Sequence, residues 1–145
     1  MPRGWSARRR DAGAAAVEMA LLMPLLLLLV FGIIDFGRML NAQITVTEAA
    51  REGARAASLS PSQNPAGVEA DARARVNRVA AGFNATTTVT ANCIGSPAPG
   101  DDATVQVTYQ FKFATPVGFF AGLLPNGTAD GSMPLTSTGV MPCRA

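Results

Sequence analysis

From Ala14 to Ile34 the chain reads AAAVEMALLMPLLLLLVFGII, 21 residues with a single charge. At about 1.5 Å of rise per residue, such a helix is about 30 Å long, which is the hydrocarbon thickness of a bilayer. One membrane-spanning helix is therefore expected. Beyond it, MLNAQITVTEAAREGARAASL runs from Met39 to Leu59 without proline, and Glu48, Arg51, Glu52 and Arg55 stand three or four residues apart, where they can pair along a helix surface. The helix should thus leave the membrane and continue from Phe36 to about Leu59. Ser60-Pro61-Ser62-Gln63-Asn64-Pro65 breaks it. A second helix is expected from about Ala66 to Ala81, with Val68, Ala72, Val76, Val79 and then Phe83 on one face and Gly82 placed to end it.

After Gly82 the period changes to two. Thr86 to Cys93, TTTVTANC, is threonine-rich and β-branched, and Ala103 to Phe113 sets Val105, Val107, Tyr109, Phe111 and Phe113 against Gln106, Thr108, Gln110 and Lys112. The Gly95–Asp102 stretch between them reads as the loop of a wide hairpin. A third strand is expected from Met133 to Met141. The apolar run Val117–Leu124 is too short to span a membrane; it reads either as a short helix covering the sheet or as a patch for a partner. These elements define an α+β fold: a long N-terminal helix, half in the membrane and half outside, with a second helix and a small antiparallel sheet. In outline it is pilin-like.

Charge fixes the direction of the span. Arg3, Arg8, Arg9 and Arg10 precede it and only Arg38 follows closely, so the positive-inside bias holds residues 1–13 in the cytoplasm as a basic leader and sends residues 37–145 across, with 14–36 as the membrane helix. The formal charge of +2 belongs to that leader: without residues 1–13, eight basic and nine acidic residues remain, which leaves nothing for nucleic acid. Cys93 and Cys143 both fall in the exported part, where the compartment permits disulfides and the even count favours their pairing. The leader is polar and glycine-punctuated, as an unstructured segment would be. A cleaved secretory signal is the competing reading, but the apolar core is longer than such signals carry and Asp35-Phe36-Gly37-Arg38 offers no small-x-small site.

Two residues distinguish the span from an ordinary anchor. Pro24 cannot donate to the carbonyl of Ala20, so a kink or a loosened turn is expected there. Glu18 lies one turn into the apolar run, where a carboxylate calls for a partner. A cut between Gly13 and Ala14 would supply one, as a free α-amine four residues away. Farther on, Ala49, Gly53 and Ala57 form a small-residue stripe that admits the close approach of either the chain's own sheet or a neighbouring helix.

Gly-x-x-x-x-Glu at the head of an apolar helix, behind basic residues, resembles a type IV prepilin processing site. The longer string from Gly13 through Pro24 and Asp35-Phe36-Gly37-Arg38 to EAAREGARAA, ending at Ala57, resembles the TadE-like family of Flp (tight adherence) pilus assembly proteins. The resemblance implies cleavage after Gly13 by a prepilin peptidase. It also implies helix packing and assembly roles for Glu18, Pro24, Asp35, Arg38 and Gly53, and a place in the inner membrane of a bacterium with the C-terminal domain outside. Its implied partners are the lipid bilayer, other pilins and pseudopilins, and the proteins of the Tad assembly platform. Major Flp pilins usually follow the glutamate with tyrosine; Met19 stands here, which points to a minor pseudopilin.

Candidate chemistry is sparse. The chain has no histidine, no phosphate-binding glycine loop and no cysteines at metal spacing, so neither an enzyme nor a cofactor, metal or small-molecule substrate is expected. Asp101-Asp102 sits in a loop, where aspartates support turns, and the chain supplies no set of further oxygen ligands for calcium. Arg73, Arg75 and Arg78 are interleaved with Glu69 and Asp71 as on a solvated helix face. The expected function is that of a minor pseudopilin assisting pilus assembly or secretion through lateral helix packing. The alternative is a single-pass, membrane-anchored binding module unrelated to pili.

Overall fold

The computed structural model of the chain describes residues 7–95, 97–116, 118 and 131–143, with side chains from Gly13 onward. Helix α1 runs from Ala7 to Ser58, α2 from Pro65 to Val79, and strands β1 (Thr86–Ala91), β2 (Asp102–Lys112) and β3 (Ser132–Pro142) form an antiparallel sheet in the order β1-β2-β3. This is the α+β arrangement expected from the sequence. The apolar run Val117–Leu124 lies outside the described residues, apart from the backbone and burial of Gly118.

Helix α1 starts earlier than the composition of the leader suggests. It already includes Ala7 and passes without interruption through the Gly13–Ala14 bond and through Pro24. Arginine and alanine are good helix formers, and extending an existing helix needs no new nucleus, so the polar leader can continue the apolar one. At the other end, Leu59 N–H still reaches the carbonyl of Arg55 at 3.2 Å before Ser60-Pro61 stops the winding. Helix α2 then begins with a cap: Asn64 Oδ1 accepts from Gly67 N–H at 2.7 Å, and Pro65 occupies the first turn, where its missing N–H costs nothing. Gly82, at a φ of +88°, turns the chain after α2 into β1.

The core forms where α1, α2 and one sheet face meet. Val46, Ala49, Ala50, Ala54 and Ala57 of α1 pack with Val68, Ala72 and Val76 of α2 and with Ala103, Val105 and Val107 of β2. Small residues on α1 let the sheet come close. A Cβ on Gly53 would lie 2.8 Å from Val76 Cγ2 and 3.2 Å from Val105 Cγ1, and one on Gly139 of β3 would collide with the carbonyl of Ala50. The small-residue stripe is therefore occupied by the chain's own second helix and sheet. Nearer the apolar half of α1, Ala42, Phe111 and Leu135 make a second cluster, joined by Met39, Phe83, Tyr109 and Phe113.

The sheet follows the alternation in its sequence. On β2, Ala103, Val105, Val107 and Phe111 are buried while Gln106, Gln110 and Lys112 are exposed; Tyr109 is half-buried. Strand β1 stops at Ala91, two residues short of the expected end, after its pairing register with β2 shifts between Val89 and Ala91. Pro134 and Pro142 fit within β3 because it is an edge strand, on which half the N–H groups have no ladder partner. Cys93, just past β1, and Cys143, just past β3, are joined by a disulfide with Cα atoms 5.5 Å apart.

Candidate functional site

The N-terminal half of α1 carries the first set of candidate residues. It is long and apolar enough to cross a membrane, and none of its most apolar stretch is buried inside the chain. Leu21, Leu25 and Ile33 each expose more than half of their surface. Gly13, Glu18 and Pro24 all lie on this bare rod: a Cβ on Gly13 would touch nothing, and Glu18 is exposed, with no hydrogen-bond or ion-pair partner among the described residues. Among the described residues, the structure does not bring these three together with any other element.

Asp35 is different. It closes the apolar run, yet only 1% of it is exposed, because the segment after β2 folds onto it. Its Oδ1 accepts from Ala114 N–H at 3.2 Å and from Arg38 Nη1 at 3.0 Å; its Oδ2 accepts from Thr115 N–H at 3.1 Å and from Thr115 Oγ1 at 2.6 Å. Four donors from two distant parts of the chain converge on one carboxylate, which is how a buried charge is made tolerable. Arg38 stays half exposed and places its guanidinium carbon 5.5 Å from the centre of the Phe111 ring. Asp35 and Arg38 thus fasten the chain's own sheet to its helix at the point where the apolar run ends.

Thr115 and Ala114 were not singled out from the sequence. The signal that pointed towards them is Asp35 itself, since a carboxylate at the edge of an apolar helix requires donors, but the sequence does not say from where. Two further links tie α2 to α1 and its exit loop. Arg75 donates from Nε and Nη2 to Glu52 Oε2 at 3.0 and 2.9 Å, and Ser60 Oγ donates to Asp71 Oδ2 at 2.5 Å. Among the described residues no group of three or more potential metal ligands occurs.

The face of α1 opposite the core is bare well beyond the apolar run. Phe36, Leu40 and Ile44 are 55%, 48% and 60% exposed and continue the line of Ile33 at helical spacing. One side of α1 is therefore committed to the chain's own domain. The other side is apolar and exposed as far as Ile44.

The family model of the TadE-like proteins matches residues 13–55. The match begins at Gly13 and ends within the buried stripe of α1, so the similarity to the TadE-like family lies in this helix. No curated protein and no solved structure matches the chain significantly.

Proposed function

We propose that the chain is a minor pseudopilin of an Flp/Tad-type pilus, held in the bacterial inner membrane by residues 14–36, with residues 1–13 in the cytoplasm and 37–145 outside. The observation that carries this reading is the TadE-like match over residues 13–55, on a helix whose apolar half is bare and headed by Gly13 and Glu18. Such a subunit works by being packed rather than by catalysis. Its domain uses one side of α1, and the Ile33, Phe36, Leu40 and Ile44 side remains for the helices of other pilins or of the assembly platform.

Cleavage by a prepilin peptidase fits the local structure. The Gly13–Ala14 bond lies within a helix, and a peptidase needs it extended; glycine lowers the cost of unwinding by about 1 kcal/mol relative to alanine. The new α-amine would then lie one turn from Glu18. Co-expression with the peptidase, followed by intact-mass measurement of the membrane-extracted chain, tests the reading: a protein beginning at Ala14 supports it. A chain that keeps residues 1–13 supports instead a membrane-anchored binding module.

A further inference from the structure

Just above Asp35 the helix and the sheet leave a cavity of about 210 Å³ between them, lined by Arg38 and Asn41 at its mouth and by the aromatic side chains of Phe83, Tyr109 and Phe111. Phe83 and Tyr109 stand edge to face with centroids 4.8 Å apart, so this wall is fixed. Three polar groups on the residues that line it have no hydrogen-bond or ion-pair partner among the described residues: the Nε and Nη2 side of Arg38, the Asn41 amide and the Tyr109 hydroxyl. Arg38 spends one N–H of Nη1 on Asp35, and the Nε and Nη2 edge of its planar fork remains.

The height of this cavity is set by α1. Arg38 and Asn41 lie two and five residues beyond Phe36, where the span ends, about 3 and 8 Å along the axis, and the headgroup layer of a bilayer extends about 5 to 8 Å beyond the hydrocarbon. An arginine over an aromatic wall, with an amide and a phenol beside it, is suited to a phosphate diester that carries an apolar body. We propose that this cavity binds the phosphate headgroup of a phospholipid from the extracytoplasmic leaflet. This rests on the spanning reading of residues 14–36. Bound there, the lipid would complete the hydrogen bonding of Arg38 and hold the exported domain on the membrane surface in one orientation.

The test uses the full chain, isotope-labelled, in micelles free of phospholipid, with the Asn41 side-chain amide and the Tyr109 ring followed by NMR. Dihexanoyl-phosphatidylglycerol is titrated in, and dihexanoylglycerol and inorganic phosphate are titrated separately. The expected result is a saturable shift of both signals with the phospholipid, no shift with dihexanoylglycerol, and at least tenfold weaker binding in Asn41→Asp, which brings a carboxylate to the mouth without touching the Asp35 contacts. Tyr109→Phe, which removes only a hydroxyl, should weaken binding by a smaller factor. Absence of a shift, equal affinity in Asn41→Asp, or an equal response to inorganic phosphate alone overturns the proposal. Extraction of native membranes with alkaline carbonate separates the two readings: a chain that stays in the membrane while the cavity is silent refutes only the lipid site, whereas a chain that is released refutes the span on which it rests.

Discussion

Asp35 Oδ2 accepts a hydrogen bond of 2.6 Å from Thr115 Oγ1, and so joins the end of the apolar run to a residue 80 positions farther along the chain. The contact closes the domain back onto the helix from which it departed. Without it, α1 and the sheet would still share the core around Val46 and Val105, but the end of the sheet nearest the apolar half would lack its polar fastening.

Replacing Asp35 by alanine should destabilise the α+β domain by about 2 to 3 kcal/mol, because the hydrogen bonds that Ala114 N–H, Thr115 N–H and Thr115 Oγ1 donate to its charged carboxylate would all be lost. Arg38→Gln should cost under about 1 kcal/mol, since Arg38 is half exposed and its charge remains solvated. Urea unfolding of the full chain in micelles measures both. A larger loss for Arg38→Gln than for Asp35→Ala would mean that the ion pair, rather than the amide contacts, holds the junction.

The two close-packed glycines should differ in tolerance. At Gly53 an added methyl group presses on the side chains of Val76 and Val105, which can shift, and alanine brings about 1 kcal/mol of helix propensity; Gly53→Ala should therefore cost only about 1 kcal/mol net. At Gly139 the same methyl group meets the backbone of α1 at Ala50 and Arg51, which cannot give way, and Gly139→Ala should cost about 3 kcal/mol or leave the protein unfolded. Equal midpoints for the two variants in the same urea titration would contradict the packing described.

The disulfide closes a loop of 50 residues around β2 and β3. Paired Cys93→Ser and Cys143→Ser substitutions should lower stability by about 3 to 4 kcal/mol through the freed unfolded chain. Labelling of the unfolded, unreduced protein should find neither thiol free. Two labelled cysteines would show that the bridge does not form.

The local elements were legible because each has a local cause. Pro61 and Pro65 bound the exit of α1, Gly82 turns the chain after α2, and the alternation from Ala103 to Phe111 marks a strand with one face buried. Other features depend on distant residues or on competition between neighbours, and were not. Arg8 to Arg10 read as an unstructured leader by polarity, yet they have the propensity to extend the helix that follows. Gly53 and Ala57 announced a close approach without saying to what; the answer, α2 and β2, is a tertiary fact. The donors to Asp35 likewise come from a segment whose sequence carries no motif.

The proposed role of the N-terminal helix in pilus assembly is measured most directly by counting surface pili on cells lacking the gene, complemented with wild type, Gly13→Leu or Glu18→Gln, with the N-terminus of each product sequenced. Wild type should restore pili and begin at Ala14. Gly13→Leu should remain uncut and restore none, because a bulky side chain beside the scissile bond blocks the peptidase. Glu18→Gln should be largely cut yet poorly piliated, since the carboxylate that offsets the new α-amine within the chain or on a neighbouring helix is gone; such a pair is expected to set axial register more than strength, by an amount on the order of 1 kcal/mol. Normal pili with Glu18→Gln, together with a shortened Gly13→Leu protein, would contradict both halves of the mechanism.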